Sequence, residues 1–118
     1  MKTKTLLLLL LVFSGLSSCV EEATVQVTNN VHNVRLDDIS FKVAIGSGVY
    51  PGETTERTFR GGSGGEVSFP VRAQLEFYMV KGDKRAYLKT KEFFSVDDGG
   101  TLKIVLTDDT ELINPLNF

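Results

Sequence analysis

The sequence predicts an all-β domain, a small antiparallel β-sandwich of about seven strands. Three observations carry this. Apolar residues recur at every second position through most of the chain beyond residue 23, and clusters of turn-forming residues interrupt them about every 8–12 residues. No window of useful length spaces its apolar residues for a helix face. A small closed barrel is the alternative architecture.

The first strand alternates Val25 and Val27 with Thr24, Gln26 and Thr28, and ends at Asn29-Asn30. Ile39, Phe41, Val43 and Ile45 form the second apolar series, interleaved with Ser40, Lys42 and Ala44. Gly46-Ser47-Gly48 and Pro51-Gly52 follow as turns. Thr54 to Arg60 is a polar strand whose core candidate is Phe59, and Gly61 to Gly65 reads as a flexible loop.

The longest signal is the odd-numbered series Val67, Phe69, Val71, Ala73, Leu75, Phe77 and Met79. One strand over residues 66–80 would reach about 50 Å at ~3.3 Å per residue, whereas a compact domain of this size has a radius of gyration of only about 13 Å. The run must break. Pro70 has no N–H for a ladder, which predicts two strands, 66–70 and 73–80.

Lys81-Gly82-Asp83-Lys84 is a hairpin turn, and Arg85 to Phe94 returns antiparallel with a bulge near Phe93-Phe94. Asp97-Asp98-Gly99-Gly100 is a second tight turn. Leu102, Ile104 and Leu106 mark the last strand, and residues 108–118 an extended tail. Neither a repeat nor a linker divides the chain. The pattern resembles immunoglobulin-like and transthyretin-like sandwiches. The absence of Trp and of a cysteine pair excludes an antibody-type domain.

The N-terminus has a different composition. Lys2 and Lys4 precede the uninterrupted apolar run Leu6 to Phe13, and small or polar residues follow in Ser14, Gly15, Ser17 and Ser18. That is the layout of a secretory signal peptide. A spanning helix needs about 20 apolar residues. Cys19 is the single cysteine, so an exported domain has no internal disulfide. Leu16-Ser17-Ser18-Cys19 resembles the lipobox of bacterial lipoproteins.

This resemblance implies that residues 1–18 are removed and that Cys19 becomes the N-terminus, bearing a thioether-linked diacylglycerol. Residues 19–23 would be the lipidated cysteine and a short acidic tether, and 24–118 the β domain. Val20 is not the aspartate that retains lipoproteins in the inner membrane of enteric bacteria, which favours the outer membrane. Glu21 and Glu22 suit a surface-export signal as well as a solvated tether, leaving the cell surface and the periplasmic face both open.

Removal of Lys2 and Lys4 leaves 11 basic residues against 15 acidic ones, a net charge of −4 for the 100 residues from Cys19 onward. A mildly acidic domain carries no electrostatic footprint for nucleic acid.

Catalytic groups are sparse. His32 is the only histidine, placed beside Asn29, Asn30 and Asn33 in a loop, so one chain can assemble neither a histidine metal site nor a histidine dyad. No serine has nucleophile-elbow spacing. Gly61 to Gly65 lacks the following Lys-Ser/Thr and helix of a phosphate cradle. The acidic doublets Asp37-Asp38, Asp97-Asp98 and Asp108-Asp109 lack the alternating carboxylates of calcium loops and read as strand ends. The expectation is a non-enzymatic protein without cofactor or metal.

A locally basic stretch remains. Lys81, Lys84, Arg85, Tyr87 and Lys89 are the candidate ligand patch, with Lys91 sharing the face of Tyr87 and Lys89 if the hairpin is regular. A solvated strand face accounts for the same residues, since lysine also protects strand edges.

Two family resemblances bear on function. Thr28-Asn29-Asn30, Tyr50-Pro51-Gly52-Glu53-Thr54 and Leu106-Thr107-Asp108-Asp109-Thr110 resemble turn segments of small single-domain lipoproteins in Gram-negative outer membranes. That implies an accessory, structural or binding role toward a protein or glycan of the envelope. Lys81-Gly82-Asp83-Lys84-Arg85-Ala86-Tyr87-Leu88 is similar to the Lys-Gly-x-x-Ala-x-Leu loop of membrane-bound C-type lysozyme inhibitors, with one extra residue between Gly82 and Ala86. Ser47-Gly48 faintly resembles that family's Ser-Gly loop, with Tyr50 one position early and no disulfide. It implies inhibition of a periplasmic hydrolase.

Overall fold

The structure is a computed structural model that describes residues 20–115; the expected signal peptide and Cys19 lie outside the described residues. Ten strands form and, among the described residues, no helix. They are β1 (Glu22–Asn30), β2 (Arg35–Phe41), β3 (Val43–Gly46), β4 (Thr54–Arg60), β5 (Val71–Ala73), β6 (Glu76–Lys81), β7 (Lys84–Thr90), β8 (Phe94–Val96), β9 (Thr101–Thr107) and β10 (Leu112–Ile113). One sheet has the order β4-β1-β9, a second β10-β7-β6-β2-β3, and β5 pairs with β8. This is a small β-sandwich, not a closed barrel. It is mixed, because β1 runs antiparallel to β4 but parallel to β9.

Alternation decides what each sheet buries. In β1, Ala23, Val25 and Val27 point inward, while Thr24 and Thr28 meet Thr58 and Thr54 of β4 on the solvent face through hydroxyl contacts of 2.7 and 2.8 Å. Phe59, Ile104 and Leu106 complete that inner surface. Leu36, Ile39, Phe41 and Phe77 supply the opposing one, all within one contiguous core. β4 spans the residues the sequence indicates, and Phe59 is its one fully buried side chain.

Elsewhere the structure corrects the sequence reading. Residues 39–45 are not one strand: Lys42 adopts φ 62° and the chain folds back, pairing Phe41 with Val43. The long odd series breaks at Gln74-Leu75, not at Pro70, and residues 66–70 make only the isolated bridge Gly61–Val67. The physical reason is Thr90. Buried at 1% exposure, it accepts the Leu75 N–H on Oγ1 at 3.0 Å and donates its own N–H to the Leu75 carbonyl at 2.9 Å. This satisfies the backbone where the chain leaves the β5–β8 pair for the large sheet. The return strand likewise ends at Thr90, and residues 94–96 join β5.

Two further segments differ. Asp37-Asp38 is not a strand end but lies inside β2, at a register shift where Asp38 takes φ 50°. The Gly61–Gly65 segment is an ordered turn: the Gly65 N–H donates to the Gly62 carbonyl at 3.0 Å and the Glu66 N–H to the Arg60 carbonyl at 2.8 Å. A Cβ on Gly61 would stand 2.5 Å from the Phe69 ring, so the glycine there permits close packing.

The two sides of the sandwich close differently. At the β3–β4 side, the Arg57 guanidinium donates to the Ala44 carbonyl at 2.8 Å and grips both Glu66 carboxylate oxygens, at 3.0 and 2.8 Å. Gly46 lets β3 lie directly against Thr55. At the other side β9 is an edge strand among the described residues, and a groove of about 560 Å3 separates it from the end of β7 and the segment just beyond it.

Candidate functional site

The two-residue turn Gly82-Asp83 sets the register of the β6–β7 hairpin. Gly82 takes φ 62° at the first turn position, where only glycine enters without strain. The register then follows: Val80 opposes Arg85, Tyr78 opposes Tyr87 and Glu76 opposes Lys89. Pairing of β2 with β6 adds Arg35 beside Val80 and Asp37 beside Tyr78. The outer face of the large sheet therefore carries arginine, tyrosine and carboxylate in adjacent rows.

The charges on this face are matched. Arg35 grips Asp37 with two bonds, Nε to Oδ1 at 3.0 Å and Nη2 to Oδ2 at 2.9 Å. Arg85 donates to Asp38 at 2.9 Å, lies 3.6 Å from Asp37, and covers the Tyr78 ring with its guanidinium 3.9 Å from the centroid. The bulge in β2 makes this arrangement. Because Asp38 is left-handed, consecutive carboxylates reach one arginine instead of alternating faces. The Gly48 N–H also donates to Asp37 at 3.1 Å. The Arg35 guanidinium, above all, with the Gly48 N–H and nearby Arg85, holds the Asp37 carboxyl below its usual range against the opposing effect of burial.

The aromatic row is equally committed. The Tyr78 and Tyr87 rings sit 5.2 Å apart at 42°. The Tyr87 hydroxyl donates to Glu76, and this bond, with burial and the nearby carboxylate charge, pushes the phenol up to about 12. Tyr50, half exposed, stands 5.9 Å from the Arg35 guanidinium at the rim.

The candidate patch is thus divided. Arg85, Tyr87 and Lys89 share the outer face, whereas alternation turns Lys81 and Lys84 to the other side of the hairpin end. Lys91 lies beyond β7 and pairs with Glu111 at 3.3 Å. Sequence reasoning missed Arg35, Asp37, Asp38, Tyr50, Glu76 and Tyr78. The turn alone signals Tyr78 and Glu76, because a two-residue loop fixes the partners of Tyr87 and Lys89. No local signal places β2 beside β6.

His32 is exposed in the loop after β1, with its backbone N–H held by Asp108 at 2.8 Å. Asp98 accepts the Glu22 N–H at 3.1 Å, so two acidic doublets contribute carboxylates that anchor backbone. Among the described residues no group of three or more His, Cys, Asp or Glu could hold a metal ion.

With its arginines neutralised, the outer face offers flat aromatic and guanidinium surface with little net charge. Such a surface suits a protein or a polar neutral ligand better than an isolated anion. Comparison with protein families, with curated proteins and with solved structures finds no match in any of the three.

Proposed function

We propose that the protein is a lipid-anchored, non-catalytic binding or accessory module of the bacterial cell envelope, held in the outer membrane through Cys19. One observation carries the reading: the lipobox Leu16-Ser17-Ser18-Cys19 ends three residues before β1 begins at Glu22. A diacylated Cys19 would hold the domain directly at the bilayer, and stable anchoring by two or more chains needs no spanning helix. The Arg85–Tyr78–Tyr87 face is the surface on which a protein or glycan of the envelope would dock. The non-catalytic part rests on His32 being the single histidine and on a site whose arginines and aspartates are mutually satisfied.

The test is incorporation of radiolabelled palmitate in a bacterial host that processes lipoproteins. Wild type takes up label and Cys19→Ala does not; equal labelling of the two sinks the anchor. A second reading, inhibition of a periplasmic hydrolase, is favoured by the exposed Lys81–Ala86 segment at the tip of the β6–β7 hairpin. It requires that the purified mature protein inhibit C-type lysozyme and that Lys81→Ala abolish the effect.

A further inference from the structure

The parity of hydrogen bonding in β9 follows from one bond. The Thr24 N–H donates to the Gly100 carbonyl at 3.1 Å, so the even-numbered residues of β9 direct their backbone groups to β1. The odd-numbered ones face away. Thr107 is satisfied by the turn that follows: its N–H donates to Thr110 Oγ1 at 2.9 Å and its carbonyl accepts the Thr110 N–H at 3.2 Å. Lys103 and Val105 have no such partner among the described residues. Their two N–H and two C=O groups open into the groove lined by Lys91, Glu92 and Phe94 opposite residues 103–107.

We propose that this groove is a strand-addition site, which takes an extended segment of a partner protein along the edge of β9. An extended chain repeats its N–H and C=O groups about every 6.6 Å on one side, matching the spacing of Lys103 and Val105. The side-chain charges state which segment fits. Lys103 at one end, and Glu92 and Asp109 elsewhere on the groove wall, make no ion pair among the described residues. The complementary strand places an acidic residue beside Lys103 and a basic one toward the Asp109 end. Val105, 50% exposed, and the half-buried Phe94 add apolar contact.

A second copy fits less well. Symmetric pairing of two β9 edges is antiparallel. β9 runs parallel to β1, whose start adjoins the anchor, so the second copy's anchor would point away from the same membrane. That exclusion rests on the proposed anchoring; the open edge does not.

Random heptapeptides displayed on phage, selected against the mature protein in detergent micelles, provide the probe. Synthetic versions of the enriched peptides are expected to slow amide exchange of Lys103 and Val105 by about tenfold or more, while Ile104 is protected with or without peptide. Val105→Pro removes an outward N–H and leaves the ladder to β1, so it should weaken binding about tenfold, whereas Val105→Thr should change it less than about threefold. Absence of enriched peptides overturns the proposal. So do unchanged binding by a folded Val105→Pro, protection of both amides in the free monomer, or a β9-dependent dimer in sedimentation. Exchange on the wild type decides the matter if the proline variant does not fold. Palmitate labelling is separate, so loss of the anchor and loss of the groove are told apart.

Discussion

The Asn29 side-chain amide donates to the Val34 carbonyl at 2.8 Å, from a residue with 0% exposure. The same NH2 group donates to the Val49 carbonyl at 2.9 Å, and Oδ1 accepts the Val31 N–H at 2.9 Å. One buried amide therefore ties the end of β1 to two loops. Asn29→Ala would leave the Val34 carbonyl and the Val31 N–H without that partner, at about 1–3 kcal/mol for each group left unsatisfied, while the Val49 carbonyl still accepts the Leu36 N–H at 2.9 Å. With partial solvent rescue, a total loss of about 3 kcal/mol is expected in urea unfolding. Asn29→Asp should cost at least as much near neutral pH, because a carboxylate would face the Val34 and Val49 carbonyls.

Acid should weaken the Arg35–Asp37 pair of β2 in a defined window. The folded-state pKa of Asp37 is lowered, so its stabilisation is fully present above the unfolded carboxylate value of about 3.9 and is lost as pH falls through the folded value. Unfolding free energy of the wild type is expected to fall more steeply than that of Asp37→Asn below about pH 4. Parallel curves would show that the Arg35–Asp37 pair contributes no pH-dependent stability.

Alkali tests the Tyr87–Glu76 bond. The Glu76 hydrogen bond pushes the Tyr87 phenol up to about 12 from an ordinary 10.0, so its contribution is complete below the unfolded value and lost as pH rises toward the folded one. In a tyrosinate absorbance titration Tyr87 should ionise late, and Glu76→Gln should bring it back toward 10.0.

The glycine-rich turn gives a steric test. Gly61→Ala would put a methyl carbon 2.5 Å from the Phe69 ring and 3.0 Å from the Val67 carbonyl oxygen. Destabilisation of about 1–3 kcal/mol is expected from this overpacking, measured by chemical denaturation. A flexible loop would accept the change without cost.

Much of this molecule is legible locally. Period-two alternation and turn residues determine an all-β domain, the limits of β4, the burial of Phe59 and the β6–β7 register, because pleat and turn geometry act over a few residues. Alternation tells which face a residue occupies, but not which strand lies beside it. Tertiary structure decided that β1 pairs in parallel with β9, that Lys42 reverses the second apolar series, and that Thr90 sets the break in the long one. It also brought Asp38 to Arg85 from 47 residues away, with Asp37 3.6 Å from the same guanidinium, joining charges that in sequence read as a strand end and a basic stretch. Non-local pairing depends on how two sheets fill one core, and no window of the sequence contains both partners.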